Sequence, residues 1–120
     1  MSGALLPEAE KNIQLLLGSS ANPLYARVIR ELTDAGEWTE LNDRFFRTLA
    51  FGTGGLRGKT ISRIVTAAER GAGGPNGRPE HPAVGTSTMN YFNLSRAAQG
   101  LAVYLQRAFA GKPKVCIAHD

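Results

Sequence analysis

"FGTGGLRGKTISRIVTA", residues 51–67, decides how this chain is read. Its first half places four glycines within seven residues and runs into Arg57-Gly58-Lys59-Thr60, the ending of a nucleotide-binding P-loop. Its second half is rich in β-branched residues, Ile61 and Val65 among them, which favours strand over helix. A strand at this point, after helices, makes the fold α/β.

The P-loop reading fails on spacing and on context. A Walker A loop needs a glycine five positions before the glycine of Gly-Lys-Ser/Thr, and that position is Thr53. The loop should also follow a buried strand and open a helix whose N-terminus faces the phosphates. Here the helical pattern of "LNDRFFRTLA" precedes it and the β-branched run follows. The dinucleotide pattern G-x-G-x-x-G fails as well, because Gly52 and Gly54 require a glycine where Arg57 stands.

A tight helix-to-strand turn, with glycines supplying positive φ, is the plainest alternative. Two features favour more than a turn. Thr53 adds a hydroxyl beside backbone N–H groups that glycines leave unshielded, the makings of an anion nest. Arg57 adds a planar fork that grips phosphate in a bidentate manner. The sharper expectation is a phosphate-contacting loop that leads into a sheet.

Charge distribution agrees with an anionic ligand. Residues 1–50 hold five Lys/Arg against seven Asp/Glu, net −2, while residues 51–120 hold nine against three, net +6. The glycine loop therefore sits in the half that attracts anions. The basic residues are scattered and not interleaved with aromatics, so nucleic acid is not the expected partner. At 120 residues, 42% apolar and 20% charged, the chain has a globular composition and can bury a core. No apolar run approaches a membrane span, and "MSGALLPEAEKN" carries acids where a signal peptide carries bases. One cysteine, Cys116, fits a reducing compartment, and the expected location is cytoplasmic.

Residues 1–50 read as a helical segment. Pro7 suits a first turn, with Ile13, Leu16 and Leu17 on one face and Gly18 as the stop. Asn22 and Pro23 open a second helix with Leu24, Val28 and Leu32 repeating, closed by Gly36. A third repeats Leu41, Phe45 and Leu49 from about Thr39. Residues 71–86, with five glycines and three prolines, read as a long exposed loop. Asn90 caps a helix whose stripe of Leu94, Ala97, Ala98, Leu101, Leu105 and Ala108 is expected to pack in the core. Gly100 inside it implies a close contact, and "KVCIAHD" reads as a buried strand that includes Cys116. Lys59 and Arg63 are solvated charges on the strand's exposed face, with a cleft-facing Lys59 as the alternative. His81 and His119 have no metal-ligand spacing.

Taken together, "NDRFFRTLAFGTGGLRGK", "MNYFNLSRAAQGLAVYL" and "VCIAHD" resemble, in order, three blocks of the α-D-phosphohexomutases. This is the family of phosphoglucomutase and phosphomannomutase, and the likeness is closest to its phosphopentomutase-like branch. The resemblance covers about residues 40–120, interrupted by the Gly/Pro loop, which looks like an insertion. It implies an isomerase of carbohydrate metabolism that interconverts sugar 1-phosphates with 6- or 5-phosphates. The route runs through a phosphoserine and a sugar bisphosphate, with Mg²⁺ held by aspartates. It also implies a three-layer α/β/α first domain with a mixed sheet over residues 51–120, preceded by the helical segment 1–50 and incomplete at the C-terminus.

Carried over residue by residue, Thr53, Gly54, Gly55, Leu56 and Arg57 match the family's active-site loop, with Arg57 placed to contact phosphate, and Lys59 is a neighbouring positive charge. None of Ser2, Ser19, Ser20, Ser62, Ser87 or Ser95 has the neighbours of the catalytic Ser-His-Asn-Pro motif. The phosphoserine and the Mg²⁺ ligands are therefore expected beyond Asp120, which itself matches the Asp of the family's Asp-Ser-Arg. The expected partners are sugar phosphates and the remaining domains of the same enzyme, with neither nucleic acid nor membrane. The isolated chain is expected to be inactive, and the alternative reading is a non-catalytic phosphosugar-binding module or an inactive fragment.

Overall fold

The computed structural model describes residues 4–119. Three helices come first: α1 (Pro7–Ser19), α2 (Pro23–Asp34) and α3 (Trp38–Phe45). A single turn of helix, α4 (Ala67–Arg70), and a 3₁₀ turn (Pro75–Gly77) follow, and α5 (Tyr91–Ala108) closes the order.

Local chemistry accounts for the first three. Proline opens both α1 and α2, where its missing N–H costs nothing, and Asn22 Oδ1 accepts from the Leu24 N–H at 3.0 Å. Ala9, Ile13 and Leu16 of α1 meet Leu24, Tyr25, Val28 and Leu32 of α2 and Leu41 and Phe45 of α3 in one core. Asn12 Nδ2 donates to the Phe45 carbonyl at 2.7 Å, tying α1 to the end of α3. Glu31 of α2 caps α4, its two carboxylate oxygens accepting from the N–H groups of Ala67 and Ala68 at 2.7 and 2.9 Å.

Several expectations are corrected here. Among the described residues there is no strand and no sheet, so the three-layer α/β/α domain with a mixed sheet is overturned. An isolated bridge between Gly52 and Gly55 closes a turn and nothing more. The β-branched run after the glycines does not find a ladder. Its backbone makes separate bonds to the 83–89 segment, Ala83 N–H to the Thr60 carbonyl and Met89 N–H to the Lys59 carbonyl, each 2.8 Å. β-propensity records how well a side chain fits a half-buried pleated surface, and without a neighbouring strand it decides nothing. "KVCIAHD" likewise lies exposed as far as His119, with Ile117 88% accessible and Cys116 on the surface.

The apolar stripe of α5 is not core packing either. Leu94 and Leu101 are 57% and 47% accessible, Asn93 is the buried residue of the helix, and nothing lies within 4 Å of a Cβ built on Gly100. With most of α5 beyond Asn93 and the tail exposed, the radius of gyration is 16.2 Å, against roughly 14 Å for a compact chain of this length. Helix α3 stops at Phe45, and Leu49 leaves the helical pattern to donate its N–H to the Thr86 carbonyl at 2.8 Å.

The Gly/Pro stretch divides in two. Residues 71–80 form exposed turns, whereas Ala83, Val84 and Thr86 are buried and Val84 joins the core cluster. A buried loop must satisfy its own backbone, and this one does so with side chains. Asn90 Nδ2 donates to the carbonyls of Ala83 and Gly85 at 2.9 and 2.8 Å. Asn93 Nδ2 donates to those of Gly85, Thr86 and Thr88 at 3.2, 3.2 and 2.7 Å. The N–H groups of Thr86 and Ser87 both reach the Arg44 carbonyl at 3.0 Å. Gly85 is required where it lies, because a Cβ there would stand 2.6 Å from the Arg44 carbonyl oxygen.

At the centre of this contact lies a fully buried arginine. Arg44 Nε donates to Glu40 Oε1 at 2.9 Å, Nη1 pairs with Glu69 and with the Val84 carbonyl at 3.2 Å, and Nη2 reaches the Ile64 carbonyl. Ser62 Oγ donates to Glu40. Glu69 also completes a capping box with Thr66 and accepts from the Val84 N–H at 3.0 Å. No fully buried side-chain nitrogen or oxygen among the described residues lacks a partner.

Burial raises the Glu40 pKa, but the Ser62 hydroxyl and the Arg44 guanidinium lower it more, leaving it below the ordinary 4.5. A depressed folded-state pKa contributes stability that is present above the unfolded value and lost as pH falls through the folded one. The chain should therefore lose urea resistance as pH drops below 4.5. Glu40→Gln should flatten that part of the profile, and an unchanged slope in the variant would count against this assignment.

Candidate functional site

The glycine turn stands on this frame. Thr86 Oγ1 donates to the Arg47 carbonyl at 2.7 Å, and Leu49 N–H reaches the Thr86 carbonyl, so residues 47–49 leave α3 along a fixed path. The chain then folds back, Gly52 N–H donating to the Gly55 carbonyl at 2.9 Å and Gly55 N–H returning to the Gly52 carbonyl at 3.3 Å. Gly54 and Gly55 carry φ of +83° and +122°, left-handed values that strain any residue with a Cβ.

Beside this turn is an open depression of about 240 Å³, and Arg47, Thr48, Gly52, Thr53, Gly55 and Arg57 line it. Arg57 folds back over the turn: a Cβ added to Gly54 would lie 3.6 Å from its Nη2. Arg47 lays its guanidinium over the Phe46 ring, 5.1 Å from the centroid. Neither arginine forms an ion pair among the described residues, and no acidic side chain lines the depression.

Of the residues singled out in the sequence, Thr53, Gly55 and Arg57 come together here, with Gly54 at the apex of the turn. Lys59 does not join them. Its Nζ pairs with Asp43 Oδ2 at 2.6 Å on the surface, outside the lining. Arg63 lies exposed with its Nε 3.8 Å from Glu40. Arg47 and Thr48 escaped the sequence reading because the periodic pattern of α3 assigned them to a helix, whereas they lie beyond its end. The signal was present in "RTLAFGT", where an arginine and a threonine come just before the glycines.

A larger cavity of about 470 Å³ lies elsewhere, between Thr60 and Ile61, residues 78–82 and the start of α5. Arg78, Glu80 and His81 line it along with Tyr91 and Leu94. Its Glu80 is already engaged, accepting from the Ala72 N–H at 2.6 Å. Among the described residues no three His, Cys, Asp or Glu side chains form a metal-holding group. Asp120 and Ser2 lie outside the described residues. Among the described residues no helix is long and apolar enough to cross a membrane.

The geometry is that of a glycine turn flanked by Arg47 and Arg57, neither of them ion-paired among the described residues, mounted on a helical body. A phosphoribomutase of Saccharomyces cerevisiae is 27% identical over 108 residues, which cover 90% of this chain and 14% of the yeast protein. The chain thus spans about a seventh of that relative's length. No protein-family model matches the chain, and no solved structure does.

Proposed function

We propose that this chain is the N-terminal part of a sugar-phosphate mutase and supplies phosphate contacts to its active site. One observation carries the reading: Arg57, without an ion pair among the described residues, closes over a positive-φ glycine turn in a depression lined by two arginines, two threonines and no carboxylate. The similarity of nearly the whole chain to a phosphoribomutase supports it, as does the order of the three blocks that resemble the phosphohexomutases.

In this reading Arg57 grips the non-bridging oxygens of a phosphate, with Thr53 and the backbone N–H of Gly54 completing the cradle and Gly55 closing the turn beneath it. Phosphoryl transfer spreads charge over those oxygens, so donors held in place beforehand lower the barrier without reorganising. The glycine conformations and the Thr86 clamp hold these donors in place. The phosphoserine, the Mg²⁺ ligands and the groups that select the sugar come from outside these 120 residues. Sugar 1-phosphates and 5- or 6-phosphates are the substrates, a sugar bisphosphate the intermediate, and the cytoplasm the working compartment.

Calorimetric titration of the 120-residue chain with ribose 5-phosphate, followed by a coupled mutase assay, tests the reading. Saturable binding without turnover is expected. Turnover by the chain alone would overturn the division of the site, and absence of binding would overturn the phosphate role.

A further inference from the structure

We infer that Arg47 is a second phosphate-gripping residue, and that the two arginines together select the terminal phosphate of a monoester. The inference rests on the proposed phosphate role of the depression and extends it to a residue outside the glycine motif.

Four observations lead to Arg47. It lines the same depression as Arg57, and both lack an acidic partner among the described residues. Both arginines thus leave positive charge at the depression uncompensated by any carboxylate, whereas nearby Lys59 is neutralised by Asp43. The Arg47 backbone is held from behind, its carbonyl bonded to the hydroxyl of Thr86, a residue with no exposed surface. Its guanidinium rests on Phe46, which limits the directions the fork can take.

Volume and charge then indicate the ligand. At about 240 Å³ the depression falls below the roughly 300–1,000 Å³ of sites that enclose a drug-sized molecule. It takes the phosphate end and leaves the sugar outside. A monoester carries a charge approaching −2 near neutral pH and three free oxygens, whereas a diester carries one charge and two free oxygens. Two planar forks, each able to make paired N–H bonds, match the monoester.

Binding of ribose 5-phosphate and of dimethyl phosphate should be measured on the wild-type chain and on Arg47→Ala, Arg47→Lys and Arg57→Ala. Circular dichroism melts would confirm that each variant folds. The wild type should prefer the monoester at least about tenfold, given the strength of charge-assisted bonds. Arg47→Ala should lose about tenfold or more in monoester affinity and most of that preference. Arg47→Lys, which keeps the charge but not the fork, should recover only part of it. If Arg47→Ala binds as wild type while Arg57→Ala fails, the inference falls and the proposed function stands. Equal weakening toward both esters would reduce Arg47 to a diffuse charge and also overturn the inference. A wild type that binds neither ester overturns both.

Discussion

Arg44→Met should lower the unfolding free energy by about 3–5 kcal/mol, because truncating one partner leaves buried charge without compensation. The variant keeps most of the side-chain volume and removes every polar contact: Glu40, Glu69 and the carbonyls of Val84 and Ile64. Two carboxylates, each with its side chain about 2% accessible, would then face each other across an apolar methionine. Domains hold only about 5–15 kcal/mol in total, so the loss takes a large share. Urea denaturation measures it directly, and a loss under about 1 kcal/mol would show that the ion group is not what holds α3 to the 62–88 segment. Replacing Glu40, Arg44 and Glu69 together with apolar residues should recover part of the stability. Recovery stays partial because Ser62 and the N–H groups of Val84 and Thr66 also use these carboxylates.

Arg57→Ala should weaken phosphate-ester binding by between tenfold and about a hundredfold, since hydrogen bonds to charged groups contribute about 1.5–3 kcal/mol each. Lys59→Ala is the control in the same motif. Its charge is spent on Asp43 at an exposed site, a pairing worth about 0–1 kcal/mol, so the expected change in affinity is less than about threefold. Titration calorimetry at low ionic strength separates the two, because screening shrinks both effects. Equal losses at Arg57 and Lys59 would mean that the ligand responds to net charge and not to the depression. Folding should be unaffected in either variant, as both side chains are exposed.

What could be read in the sequence was local. Asn22 and Pro23, the Leu24–Val28–Leu32 repeat and the Asn90 cap are short-range signals, and each appears in the structure as the spacing implies. The glycines of 52–55 were legible as a turn for the same reason, since positive φ is a property of single residues. Strand and core assignments failed because they depend on partners. Ile61, Val65 and the "KVCIAHD" run have the composition of strands, but the described residues provide no neighbour to complete a ladder. The α5 stripe has helical spacing and forms a helix, yet spacing cannot say whether anything covers it. Hardest to foresee was the buried ion group, which joins residues 40, 44, 62 and 69 across three segments. Even there one clue existed: Thr66 and Glu69 stand at capping-box spacing. A carboxylate already committed to a cap is well placed to receive a buried arginine.

This frame links stability to the site. Arg44 holds the 83–88 segment, Thr86 of that segment holds residues 47–49, and the glycine turn follows directly. A substitution that loosens Arg44 should therefore disturb phosphate binding as well as folding.

The most direct measurement is a two-dimensional ¹H–¹⁵N spectrum of the 120-residue chain titrated with ribose 5-phosphate. Saturable shifts should centre on the amides of Gly52 to Arg57, extend to Arg47 and Thr48, and vanish in Arg57→Ala. Shifts confined to Thr60, Ile61 and residues 78–82, or no shifts at all, would contradict the account.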